Sequence, residues 1–329
     1  MKYTTIPLEP IPLSNNPNIE SEIREFLISL AQKGWSGLSI AEAKHTVNLV
    51  QMESMFDMSG IDIFQKTIIK DDLVIDLDIV RPEGVFGLLP VFVFLQGPSS
   101  IFGDFVANKR LVRDLVVNSG AVGIFINDGL AQKLDYMGHV NQAYATIEWL
   151  AENGKEINVD AGRLALVGNG FGAGQAVQVS WLNHLRQGPA ISLQVLMWPC
   201  VDTNFDWDSY RQFGKDYFLT SELMEQMIGQ ENINNNEESY RLLSPLGLSL
   251  EDLGSLPPTL IQLAEVDVLR DQGEEFGRKL NQAGVEVTTV RYVGMIHAFG
   301  LINALVNLPA AQSLIIQASG ELRSYLFKT

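Results

Sequence analysis

The chain has 329 residues, 46% of them hydrophobic, with a formal net charge of −16 at pH 7 and a pI near 4.6. That is enough apolar mass for one large α/β domain with insertions or two small domains. It argues against nucleic acid and anionic membrane surfaces as partners, because neutralising phosphates takes clustered Lys and Arg. Cys200 is the only cysteine, so an intrachain disulfide and a Cys-rich metal site are excluded and a cytoplasmic setting is the default expectation.

The first fifteen residues are rich in proline and polar groups where a signal peptide needs an apolar core. They read as an extended arm. Ile19, Ile23, Phe26, Leu27 and Leu30 follow at helical spacing, and Ser39 is placed to cap a second helix over 41–55. Strands are expected over 64–69 and 73–80, with Asp71-Asp72 as the hairpin turn. The run 91–95 is continuously apolar, as in a buried strand. From there strand and helix alternate: helix 109–119, strand 121–126, helix 140–153, strand 163–167, helix 172–185, strand 193–198, strand 259–264, helix 271–283, strand 287–292 and helix 309–327. This order implies an α/β fold, a mostly parallel sheet with helices on both faces. The longest apolar run, 85–95, contains Pro90 and is too short to span a bilayer, so no membrane span is expected.

Residues 203–254 break the rhythm and are too long for a simple connection. They read as an inserted lid whose aromatics (Trp207, Tyr210, Phe213, Tyr217, Phe218) either line a pocket or form a small core of their own. The resulting division is 1–60 for the arm and cap helices, 61–202 for the first part of the core, 203–254 for the lid and 255–329 for the rest of the core. Leu314, Ile315, Ile316 and Leu322 on the last helix could serve a homodimer. His45, His139, His184 and His297 lie apart without ligand spacing, so neither a metal nor a cofactor is expected.

Residues 164–175, LALVGNGFGAGQ, have the form of a sharp strand-turn-helix whose middle residue is lifted onto the top of the sheet. A serine hydrolase built this way carries its nucleophile there. Here the middle residue is Gly170. The glycines also satisfy G-x-G-x-x-A at Gly168, Gly170 and Ala173, with Asp202 after the next strand, but a dinucleotide fingerprint usually follows the first strand of its domain rather than a late one.

Over about residues 60–325 the chain resembles the hormone-sensitive-lipase-like esterase branch of the α/β-hydrolases. The stretches FLQGPSSIFGD (94–104), VDAGRLALVGNGFGAGQ (159–175), AEVDVLRDQGEEFGRKL (264–280) and YVGMIHAFG (292–300) carry the match. The resemblance implies an α/β-hydrolase fold with a helical cap, Asp267 as the acid and His297 as the base. It also implies losses. Glycine at 170 cannot form an acyl-enzyme, Gln96 stands where that branch has histidine, and Pro98, in the oxyanion glycine run, lacks an N–H. The Phe171 N–H is left as a donor. Gln96, Ser99, Ser100, Asp128, Asn169, Gly170 and Phe171 are the expected substrate-binding positions.

The reading that follows is a lyase- or cyclase-like enzyme, performing non-hydrolytic acid–base or template catalysis on a small apolar molecule. One alternative is a catalytically inactive, receptor-like ligand-binding protein. Another is a carboxylesterase carrying an engineered Ser→Gly change at 170, and a residual esterase in which His297 activates water is a further possibility.

Overall fold

The computed structural model describes residues 9–97, 100–102, 104–127, 134–230 and 243–328. Within them lie β1 (Ile61–Lys70), β2 (Leu73–Pro82), β3 (Leu89–Leu95), β4 (Val122–Asn127), β5 (Val159–Asn169), β6 (Ile191–Met197), β7 (Thr259–Val266) and β8 (Val287–Ile296). They form one sheet in the order β1-β2-β4-β3-β5-β6-β7-β8. The β1–β2 and β2–β4 pairs are antiparallel and all later pairs are parallel. The β1–β2 hairpin turns at Asp71 and Asp72, both at positive φ (50° and 63°). Two successive residues at positive φ give the tight turn whose twist matches the flanking strands, and aspartate tolerates that region.

The strands on the parallel side are covered on both faces. Alternation along β3 sends Phe92 and Phe94 into one apolar cluster and Val91, Val93 and Leu95 into the other. Helices α1 (Ser21–Gln32), α2 (Ile40–Glu53) and α3 (Phe105–Ser119) bury residues in the first cluster; α4 (Tyr136–Asn153) and α5 (Phe171–Arg186) bury residues in the second. After β6 come α6 (Asp208–Phe213) and α7 (Ser221–Gln230), then α8 (Arg270–Gln282) and α9 (Pro309–Leu326). The N-terminus of α2 is a capping box: the Ser39 side chain accepts from the Glu42 N–H while the Glu42 carboxylate accepts from the Ser39 N–H. Helix α3 starts four residues earlier than its apolar spacing indicates, because Asp104 accepts from the Ala107 N–H and caps it.

The aromatics of residues 203–230 do not form a core of their own: Tyr210, Phe213, Tyr217 and Phe218 are buried in the first apolar cluster with residues from elsewhere in the chain, and Tyr210 also lines a surface cleft. Phe218 stacks on Trp35 (centroids 5.0 Å apart) and tilts against Phe26 and Phe102, and the Trp35 indole donates to the Phe218 carbonyl at 2.7 Å. Residues 203–230 and α1 therefore share one apolar interior. The dimer surface expected on α9 is not available. Leu314, Ile315 and Leu322 are buried within the chain and Ile316 alone of the four is exposed. Among the described residues no helix is long and apolar enough to cross a membrane.

Candidate functional site

The turn from β5 into α5 has the shape expected of an elbow. Gly170 sits at its apex with φ 49° and ψ −119°, a region that side chains adopt only under strain. The glycines on either side serve close packing. A Cβ on Gly168 would overlap the Gly172 carbonyl, and one on Gly172 would overlap the Leu95 carbonyl. The end of β3 and the start of α5 thus touch backbone to backbone, and the Gly172 N–H donates to the Gln96 carbonyl at 3.2 Å. Phe171 is the first residue of α5, where amides have no acceptor within the helix.

Asp267 follows β7 and His297 follows β8, which brings both to the carboxyl edge of the sheet beside the elbow. The Asp267 Oδ2 lies 2.8 Å from His297 Nδ1, and Oδ1 accepts from the Leu269 N–H at 3.0 Å. One carboxylate therefore orients the histidine and ties down the turn into α8. An ionised carboxylate only accepts, so the ring proton belongs on Nδ1 and Nε2 is free to take one. Both residues are buried, Asp267 at 2% and His297 at 8% exposure. Ala298, next to the histidine, is held at φ 61°. A Cβ built on Gly170 would stand 3.8 Å from His297 Nε2, at ordinary contact distance.

Ser100, Asn169, Gly170, Phe171 and His297 line one small cavity, with about 30 Å³ open to the centre of a water molecule. That is room for a single water or a small group. The remaining wall is apolar and includes Phe102, Trp198, Leu219, Met224, Met227 and Leu269. Residue patterns gave no pointer to Leu219, Met224 and Met227, whose spacing on the inserted segment is that of ordinary core. Trp198 could have been found, since it ends the run of β6 at the same sheet edge as the elbow. Its ring meets His297 edge-on at 6.0 Å.

Gln96 is not among the residues lining that cavity. Its Oε1 accepts from Asn108 Nδ2 at 2.8 Å, and Asn108 Oδ1 in turn accepts from Asn169 Nδ2 at 3.2 Å. A buried chain of amides thus joins the 94–104 stretch to the elbow. The Ser100 hydroxyl accepts from the Phe102 N–H at 3.2 Å, as loop serines do. Ser99, Asp128 and Pro98 lie outside the described residues. Asp202 is engaged by the Trp207 indole and the Ser244 hydroxyl, at 2.9 and 2.5 Å, rather than standing open for a ribose.

Residues 92–301 match the family model described as alpha/beta hydrolase fold. The chain belongs to the α/β-hydrolase family, in its hormone-sensitive-lipase-like branch. An esterase of Gibberella moniliformis is 32% identical over 237 residues, 71% of this chain and 74% of the relative. Carboxylesterase NlhH of Mycobacterium tuberculosis is 26% identical over 76% of this chain and 78% of its own length. The crystal structure of a thermostable esterase from Pseudomonas putida ECU1011 superposes with a TM-score of 0.91 at 41% identity, covering 95% of this chain and 99% of that one.

These relatives overturn the expectation of a non-hydrolytic, lyase- or cyclase-like enzyme, because they are esterases matched along most of the chain. The inactive receptor-like reading gains nothing from them either. The physical reason for the correction is local. Glycine at 170 removes a side chain, while the strained turn and the His297–Asp267 pair stand beside the space it would fill.

Proposed function

We propose that this is a carboxylic-ester hydrolase site in which residue 170 occupies the nucleophile's seat. His297 is the general base, Asp267 fixes its tautomer and stabilises the imidazolium, and the Phe171 N–H receives the developing oxyanion. The observation that carries this reading is the Cβ position at Gly170, 3.8 Å from His297 Nε2. A hydroxymethyl group there would bring its oxygen within hydrogen-bond reach of the ring, about 2.6–3.2 Å. With glycine in place the covalent route is closed, and the nucleophile His297 can activate is a water in the space the side chain leaves. The small apolar cavity favours short acyl groups. Helices α1 and α2 with residues 203–230 act as the cap that keeps bulk water out.

The test is hydrolysis of p-nitrophenyl acetate by the chain and by Gly170→Ser. The serine variant should gain roughly 100-fold or more in kcat/KM, and adding His297→Ala should remove that gain. A serine variant no faster than its parent, with its fold intact by circular dichroism, would reject the reading.

A further inference from the structure

Helix α3 starts where the 94–104 stretch ends, and Arg110 on it is 2% exposed. Its Nη2 donates to the carbonyls of Gly300 and Leu301 at 2.7 and 2.8 Å, and its Nε donates to Asn303 Oδ1 at 3.1 Å. Nη1 pairs with Asp114, one turn further along α3, at 3.0 Å. Gln51 of α2 grips the same stretch: its Nε2 donates to Leu301 O and its Oε1 accepts from the Asn303 N–H. Burying a guanidinium is expensive, and an apolar residue of similar volume would usually serve stability as well. What the guanidinium supplies here is a fork of donors aimed at carbonyls three and four residues after His297.

The turn that needs holding begins at the histidine. Ala298 lies at φ 61°, and the Leu301 N–H closes the turn on the Ala298 carbonyl at 2.8 Å. Such a conformation in a residue with a side chain persists only where its surroundings over-determine it. We propose that Arg110 is a positioning residue for His297: by clamping the Gly300 and Leu301 carbonyls it keeps the strained turn closed and the imidazole in register with Asp267. The catalytic consequence rests on the esterase reading above, whereas the positioning does not.

Two measurements separate these. In the chain as it stands, proton NMR reads the hydrogen-bonded His297 Nδ1–H as a far-downfield resonance. Arg110→Met should broaden or lose it. Leu115→Ala, a cavity in the same helix at a fully buried residue, should lower the melting temperature and keep the resonance. In the Gly170→Ser background, Arg110→Met should lose about a hundredfold in kcat with KM little changed, and Leu115→Ala should keep its kcat. If Arg110→Met does not fold, Arg110→Lys carries the test with the same expectations, because it keeps the charge but cannot reach both carbonyls and Asn303. An unchanged resonance in the folded Arg110 variant overturns the inference, as does its equal loss in Leu115→Ala. A Gly170→Ser enzyme without turnover would overturn the esterase reading and leave the resonance to decide the role of Arg110.

Discussion

Tyr210, on α6, is buried close enough to Asp267 to feel its charge. Its hydroxyl makes no hydrogen bond of normal geometry among the described residues. Burial pushes its phenol well above the ordinary tyrosine range, the negative charges of Cys200, Asp267 and Asp202 add to the rise, and the nearby Gln272 amide opposes it. The native state therefore keeps this proton at a pH where the unfolded chain, with a phenol pKa of about 10, gives it up. Stability from this group is complete below about pH 10 and is lost as the pH rises beyond it, since the unfolded state then binds fewer protons than the native one. Tyr210→Phe should therefore shift alkaline unfolding to higher pH in urea titrations at pH 8 and above, and leave stability at pH 8 equal or greater, because an unpaired buried hydroxyl goes with it. Parallel pH profiles for the two proteins would contradict the assignment.

At the scale of elements, the contact between β3 and α5 sets the site. Gly172 meets the Leu95 and Gln96 backbone where a Cβ would sit, and backbone on both sides cannot swing away. Gly172→Ala should destabilise by about 3 kcal/mol. Gly320, on the exposed side of α9 with nothing within 4 Å of its would-be Cβ, sets the contrast. Gly320→Ala should stabilise by about 0.5–1 kcal/mol through helix propensity. Urea unfolding of both variants checks the pair, and equal effects would mean that the elbow has room the packing denies.

The same contact shows what local pattern can reveal. The succession of strands and helices, the Asp71-Asp72 turn, the Ser39 cap and the glycine-packed bend are all legible because each is set by neighbours in sequence. Strand β5 runs from Val159, earlier than its apolar stretch, because residues 160–163 form an irregularity where the register with β3 shifts, and being partly exposed they carry no apolar signal. The grip of Arg110 on Gly300 spans 190 residues, and no periodicity announces such a meeting. Glycine at 170 misleads for a related reason. One position reports whether a nucleophile is present, whereas the chemistry a scaffold is shaped for is held by the many residues around it.

Across the whole molecule the charge of −16 has a consequence of its own. Folding draws those charges from an unfolded radius of gyration of about 65 Å into one of about 20 Å, so their mutual repulsion weighs more on the native state. Salt opposes this through screening. The Debye length falls from about 30 Å at 0.01 M, larger than the folded radius, to about 8 Å at 0.15 M. Screening also weakens ion pairs, but those at the surface, such as Lys33–Glu53 and Arg113–Asp57, each contribute only about 0–1 kcal/mol. Net repulsion should therefore dominate at pH 7. Raising NaCl from about 0.01 to about 0.15 M should raise the melting temperature by a few degrees, and choline chloride should do the same, since screening is indifferent to the cation. Near the pI of about 4.6 the net charge vanishes and so should the gain, leaving only the small loss from screened pairs. A melting temperature that is flat or falls with salt at pH 7 would mean that paired charges, rather than the excess of carboxylates, govern the electrostatics of this fold.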